Sequence, residues 1–100
     1  MSGYELSPES LQDLQDIWDF IAPDSVTAAD RLESELFEAF ELLAQRPRMG
    51  HTRSDLTARD VRFWPVGSYL IVYRRISTKL QIVAVLHGAR DIVEVIRRRQ

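Results

Sequence analysis

Two apolar runs near the C-terminal end of the chain constrain its fold more than any other feature. The runs are SYLIVYRR and LQIVAVLHG, and Ser77, Thr78 and Lys79 lie between them. Valine, isoleucine and tyrosine favour strands, and a short Ser/Thr break between two such runs is typical of a hairpin. Both runs place apolar residues on both sides of a strand. We therefore expect them in the middle of a sheet, with the rest of the chain covering a face or extending an edge.

Strict alternation along these strands predicts which side chains share a face. In the first run one face carries Tyr69, Ile71 and Tyr73, and the other carries Leu70 and Val72. In the second run Leu80, Ile82, Ala84 and Leu86 share a face, and Val83 and Val85 oppose them.

The first 46 residues predict a short strand and two helices. The run Tyr4-Glu5-Leu6 is long enough only for an edge strand, and Ser7 followed by Pro8 is a typical helix start. The first helix has an apolar stripe of Leu11, Leu14, Ile17, Trp18 and Ile21, with Asp13, Asp16 and Asp19 on the solvent side. Pro23 ends it, and Asp24 or Ser25 begins a second helix that Arg46-Pro47 ends. Its stripe is Val26, Ala29, Leu32, Leu36, Phe40 and Leu43.

The remaining segments complete the predicted order of elements. A polar loop from Pro47 to Asp60 precedes a short strand, VRFW, and loops of this length in a small domain are often functional. Residues 90–99 predict a terminal helix with Ile92, Val95 and Ile96 apolar. The order β-α-α-β-β-β-α predicts one domain over residues 1–100 with a two-layer α+β fold, in which a helical hairpin packs on a small antiparallel sheet.

Charge is distributed unevenly along the chain. Residues 1–45 hold eleven acidic residues and one basic residue, a net charge of −10, whereas residues 46–100 have a net charge of +8. This division indicates either a polar or nucleic-acid-like partner on the basic side, or two halves that neutralise each other. The overall charge of −2 argues against binding nucleic acid through charge alone.

Several classes of protein are excluded by what the sequence lacks. There is no cysteine, no glycine-rich nucleotide loop and no histidine pair at metal-ligand spacing, so we expect neither a metal nor a cofactor. The chain has no apolar run of the ~18 residues that a membrane span needs, and it does not begin with a signal peptide. We expect a cytoplasmic protein.

Candidate functional residues come from the basic half. Acid–base chemistry on RNA would need a cationic pocket with a titratable group, and the candidates are Arg62, Arg74, Arg75, His87 and Arg90, with Tyr73 nearby. Structural roles are equally open: His87 could cap the turn at Gly88, and Arg90 could pair with Asp91. Alternation places Arg74 and Arg75 on opposite faces, which predicts that a given pocket uses at most one of them.

The chain resembles the ParE branch of the RelE/ParE superfamily of bacterial type II toxin–antitoxin toxins. The likeness lies in YELSPES and DLQDIWDFIA, in RPRMGHTRSDL, and in YLIVYRR followed by VAVLHGARDI. The segment Leu86–Asp91 and the loop Pro47-x-Met49-Gly50 are its most specific parts.

The resemblance implies a non-enzymatic toxin that binds DNA gyrase and that a cognate, ParD-like antitoxin neutralises. We expect Arg74, Arg75, His87 and Arg90 to contribute to target binding. The alternative is a RelE-like, ribosome-dependent mRNA endonuclease, from which the chain departs by its single lysine, its negative charge and the helix after Gly88. A third reading is a binding module without toxicity. Because helices are predicted on one sheet face only, either Leu70 and Val72 or the residues on the opposite face should be partly bare. We expect an antitoxin helix or strand to cover that surface, and the free toxin to dimerise.

Overall fold

The computed structural model describes residues 3–88 and 91–99, and the order of its elements confirms the predicted one. They are β1 (Tyr4–Leu6), α1 (Pro8–Ile21), α2 (Val26–Gln45), β2 (Arg62–Val66), β3 (Tyr69–Ile76), β4 (Lys79–His87) and α3 (Ile92–Arg99). None of these helices has the length and apolarity that a bilayer crossing requires.

The four strands form one sheet in the order β1-β4-β3-β2. The β3–β4 pair is the expected central hairpin, closed between Ile76 and Lys79 by a two-residue turn in which Ser77 has a φ of 56°. Strand β1 lies at an edge as expected, but it runs parallel to β4, so the sheet is mixed. A parallel arrangement is possible because two helices and two strands separate β1 from β4, and no tight turn constrains their direction. At the other edge β2 tolerates Pro65, which has no N–H to donate.

Local signals set the ends of α1 and α2 as predicted. The hydroxyl of Ser7 accepts a hydrogen bond from the backbone N–H of Ser10, and Ser25 does the same for Ala28, each at 3.1 Å. The helices end at Ile21 and Gln45, each two residues before a proline. The short link from α1 to α2 makes the expected helical hairpin.

The helical hairpin covers one face of the sheet. Its core consists of Leu14, Leu36, Ala39, Phe40 and Leu43 from the helices and Ile71, Tyr73, Leu80, Ile82 and Val85 from the strands. Leu11, expected in the stripe of α1, is instead 53% exposed, while Asp13, expected toward solvent, is only 5% exposed. The buried side of α1 is thus rotated toward Ser10 and Asp13, because Asp13 has hydrogen-bonding partners inside the fold.

The opposite face of the sheet is also covered, which contradicts the expectation of a bare surface at Val72. A second core holds Val61, Phe63, Val72, Val83, Ala84, Leu86 and Ile96. Val72 is fully buried, and Leu70 is half-buried against the same core. The cover comes from α3 and from the segment before β2. The sequence predicted these as a terminal helix over residues 90–99 and an aperiodic polar loop, without indicating that they pack on the sheet.

A bulge in β4 changes which of its side chains share a face. Val72 pairs with Ala84 but the next residue, Tyr73, pairs with Ile82, so Val83 has no partner on β3. One extra residue reverses the alternation beyond it. The predicted common face of Leu80, Ile82, Ala84 and Leu86 is therefore wrong: the first two face the helical hairpin and the last two face α3.

Candidate functional site

A polar cleft lies where β3 extends beyond Arg62, the first residue of β2. It has a volume of about 350 Å³, and we call it the arginine cleft. The described residues that line it are Pro47, Arg48, Asp60, Arg62, Tyr73, Arg74 and Arg75.

Tyr73 anchors the loop that forms one wall of the arginine cleft. Its side chain is 1% exposed, and its hydroxyl donates to the carbonyl of Pro47 at 2.7 Å and accepts from the N–H of Gly50 at 2.8 Å. Arg62, the antiparallel neighbour of Tyr73, donates to the carbonyl of Gly50 at 2.9 Å. Burial raises the pKa of Tyr73, and the hydrogen bond from Gly50 and the charge of Arg62 oppose this rise. The phenol is therefore a protonated structural anchor at neutral pH.

Gly50 is required for this contact because of space. A Cβ at this position would lie 2.7 Å from Cε1 of Tyr73, closer than carbon atoms approach in proteins. The Pro47-x-Met49-Gly50 loop, singled out in the sequence, thus has a defined role: it wraps the tyrosine hydroxyl and holds Arg48 beside it.

Arg74 and Arg75 both line the arginine cleft, contrary to the expectation that one pocket uses at most one of them. The pairing of β2 with β3 ends at Tyr73, so at the next two residues β3 has no neighbouring strand on the side away from β4 among the described residues. Arg74 donates from Nε to the side-chain oxygen of Gln81 at 2.9 Å.

His87 lies apart from the arginine cleft. It is the cross-strand partner of Tyr69, with ring centroids 5.3 Å apart and planes at 85°. Arg74 is five residues along β3 from Tyr69, which corresponds to roughly 17 Å. The structure therefore does not bring His87 together with Arg74 and Arg75. Arg90 lies outside the described residues, and Asp91 caps α3 by accepting from the N–H of Glu94 at 3.2 Å.

His87 belongs instead to an apolar groove between α1 and β4. The groove has a volume of about 290 Å³ and is lined by Asp13, Asp16, Ile17, Phe20, Tyr69, Val85 and His87. Phe20 is 78% exposed there. Strand β1 pairs with β4 only as far as Ile82, so β4 has no neighbouring strand beside the groove among the described residues. The sequence contained one signal for this site, since Phe20 is a large apolar residue outside the predicted stripe of α1.

Metal binding has no support in the part of the chain that the structure describes. No group of three or more histidine, cysteine or carboxylate residues there could hold a metal ion.

The fold is shared with a protein of known structure. The chain is similar to a solved chain described as "Chromosomal ParDE TA system from P. aeruginosa", with a TM-score of 0.72 and 18% sequence identity over 87% of this chain and 96% of that one. The likeness shows a shared α+β fold. No curated protein matches the sequence.

The family follows from the sequence itself. Residues 4–92 match the model of the family described as "ParE toxin of type II toxin-antitoxin system, parDE". The match spans most of the chain, and the chain therefore belongs to the ParE toxin family.

Proposed function

We propose that this protein is the toxin of a type II toxin–antitoxin pair that arrests replication by binding DNA gyrase, without a catalytic step of its own. Membership of the ParE family supports the role of toxin. A cognate antitoxin, ParD-like or similar, neutralises it, and both proteins act in the cytoplasm, where the gyrase target is found.

The hydrogen bonds that already engage the Tyr73 hydroxyl are the observation that favours binding over catalysis. General acid–base cleavage of RNA needs a titratable group within hydrogen-bond reach of the reacting atoms. The Tyr73 hydroxyl is buried and already bonded to Pro47 and Gly50. Neither His51 nor His87 is among the residues that line the arginine cleft. A RelE-like mRNA endonuclease remains the alternative function, because the cleft does offer cations for a phosphate.

We assign target binding to the residues predicted from the sequence, which lie at two separate places on the protein. Arg74 and Arg75 would act from the arginine cleft and His87 from the far end of the β3–β4 hairpin. Arg90 lies outside the described residues, and its assignment rests on the sequence.

The cognate antitoxin is proposed to cover the apolar groove rather than the buried face of Val72. The groove combines exposed apolar surface at Phe20 with the apolar side chains of Ile17 and Val85, the arrangement to which the apolar face of a partner helix binds. Self-association of the free toxin through the same surface is a further prediction, checked by its sedimentation with and without antitoxin.

The proposed function is tested first in cells that carry the gene under an inducible promoter without the antitoxin gene. DNA and protein synthesis are pulse-labelled within minutes of induction. We expect DNA synthesis to fall first, and the purified toxin to inhibit supercoiling by gyrase in a manner that added antitoxin reverses.

A different order of events would contradict the proposal. If protein synthesis falls first and mRNA is cut, the endonuclease alternative is supported. If neither synthesis changes, the chain is a binding module without toxicity.

A further inference from the structure

We infer that the arginine cleft binds a phosphate group of a nucleic-acid backbone, without cleaving it. This inference does not depend on gyrase being the target, since it concerns a ligand of the toxin alone. It rests on the charge, the preorganisation and the lining of the cleft.

The charge of the arginine cleft is not neutralised within the described part of the chain. Four arginines and one acid, Asp60, line it, a net charge of +3. The ion pairs of the described residues engage Arg53, Arg97, Arg98 and Arg99, all outside the cleft. The side chains of Arg48 and Arg75 make no hydrogen bond or ion pair within residues 3–88 and 91–99. Uncompensated guanidinium groups in one concave place concentrate positive potential there.

Two of the four arginines are held in place by neutral partners. Arg62 is fixed by the carbonyl of Gly50 and Arg74 by the amide of Gln81, each at 2.9 Å. Both partners leave the guanidinium charge intact. Arg48 follows Pro47, whose carbonyl is tied to Tyr73. Prior fixing of the cations reduces the entropy lost when an anion binds.

The negative charge of the protein and the arginine cleft belong to different segments of the chain. The net charge of −10 belongs to residues 1–45, which form β1 and the helical hairpin. Every residue that lines the arginine cleft comes from the basic segment 46–100.

The lining favours a nucleic-acid backbone over an acidic protein. Among the described residues that line the cleft, only Pro47 and Tyr73 are apolar or aromatic, and Tyr73 is 1% exposed. Protein partners obtain most of their affinity from apolar or aromatic anchors in pockets, and the cleft offers no such pocket. A phosphodiester backbone obtains affinity from charge, and guanidinium groups bind phosphate oxygens in pairs.

The test measures binding of fluorescein-labelled oligonucleotides to the purified full-length toxin by anisotropy. Duplex DNA, single-stranded DNA and RNA of one length are compared at 50 and 200 mM salt. We expect binding that weakens about tenfold over this range, as neutralisation of about two phosphates predicts. The nucleic acid that binds most tightly identifies the source of the phosphate.

Three alanine variants assign the binding to the cleft. Arg48→Ala and Arg75→Ala should each weaken binding on the order of tenfold and lower the salt dependence. Arg31→Ala removes the same charge from an exposed position on α2 and should change affinity less than about twofold. Because Arg48 and Arg75 have no partners among the described residues, their variants should unfold at the urea concentration of the unmodified protein.

Four results would overturn the inference. The first is that no oligonucleotide binds at 50 mM salt, and the second is that Arg31→Ala weakens binding as much as Arg48→Ala and Arg75→Ala do. The third is that poly-glutamate competes as strongly as an unlabelled oligonucleotide. The fourth is that the toxin binds inorganic phosphate but no oligonucleotide. None of them bears on gyrase inhibition, which the supercoiling assay measures separately.

Discussion

Asp13 and Arg99 form a partly buried, bidentate ion pair that joins the first helix to the last. The Arg99 guanidinium reaches the two carboxylate oxygens of Asp13 at 2.5 and 3.0 Å, and the side chains are 17% and 5% exposed, respectively. One of these oxygens also accepts the backbone N–H of Val85 at 2.9 Å. Arg99 further donates to the carbonyl of Val83 at 3.4 Å. The pair thus supplies hydrogen-bond partners to backbone groups of β4 beyond Ile82, where its pairing with β1 ends.

Loss of the Asp13 carboxylate should destabilise the fold strongly. Asp13→Ala leaves a partly buried guanidinium without its partner and the Val85 N–H without an acceptor, and we expect a loss of about 3–5 kcal/mol in the free energy of unfolding. Urea denaturation followed by circular dichroism measures it. Asp16→Ala, one turn away and exposed, is the matched control and should change stability by less than about 0.5 kcal/mol.

The coupling between Asp13 and Arg99 is measured separately by a double-mutant cycle. With Arg99→Ala as the second substitution, we expect a coupling energy of about 1–3 kcal/mol. Additive effects of the two substitutions would show that the ion pair does not contribute to stability.

Gly50→Ala should destabilise the loop around Tyr73. The new Cβ would overlap the Tyr73 ring, which is fixed in the core, so either the loop or the ring must move. We expect a loss of about 1–3 kcal/mol, measured by urea denaturation. Gly88→Ala is the control, because its Cβ would lie 3.5 Å from the nearest atom, the carbonyl oxygen of Ser68. If the two variants are equally stable, the close contact at Gly50 is not a constraint.

Tyr73→Phe should reduce stability in a pH-dependent way. At neutral pH the variant leaves the Gly50 N–H and the Pro47 carbonyl without the hydroxyl, at a cost of about 1–3 kcal/mol. Burial raises the pKa of Tyr73 in the folded protein above its ordinary value of 10.0, so its contribution is fully present below pH 10. As the pH rises further, the unfolded chain ionises first and the contribution falls.

The difference in unfolding free energy between the unmodified protein and Tyr73→Phe should therefore be constant from pH 7 to 9 and decrease above pH 10. Urea titrations over this range measure it. A difference that grows with pH would contradict the buried, neutral phenol. Tyr4, whose pKa burial also raises, is present in both proteins and cancels.

Phe20→Ser should weaken antitoxin binding without affecting the fold. Phe20 is 78% exposed, so we expect a stability change within about 0.5 kcal/mol, but at least a tenfold loss of affinity if the side chain anchors the antitoxin in the apolar groove. Calorimetry with the purified antitoxin measures the affinity. Val26→Ser is the matched control, since Val26 is exposed but does not line the groove. Equal affinities for the two variants would exclude the groove as the antitoxin site.

Local sequence patterns were sufficient for the elements and their order. Ser7 with Pro8, Ser25, and the two prolines beyond the helix ends are interactions of neighbouring residues, and the structure shows them at the predicted places. The central hairpin follows from its β-branched runs in the same way. The loop of Pro47 and Gly50 stood out in the sequence, but its bond to Tyr73 did not, because Tyr73 lies 26 positions after Pro47.

The sequence by itself determined the helices, the strands, the α+β class and the membership of the ParE family, because each rests on periodicity, capping or motif order along the chain. Only the tertiary structure decided which candidate residues share a site. It separated His87 from Arg74 and Arg75, placed both arginines in one cleft, and buried Asp13 against Arg99. Those outcomes depend on the bulge at Val83 and on the residue of β3 at which its pairing with β2 ends. They also depend on the packing of α3 against the sheet face opposite the helical hairpin. Each arises from contacts between distant residues, which local patterns do not encode.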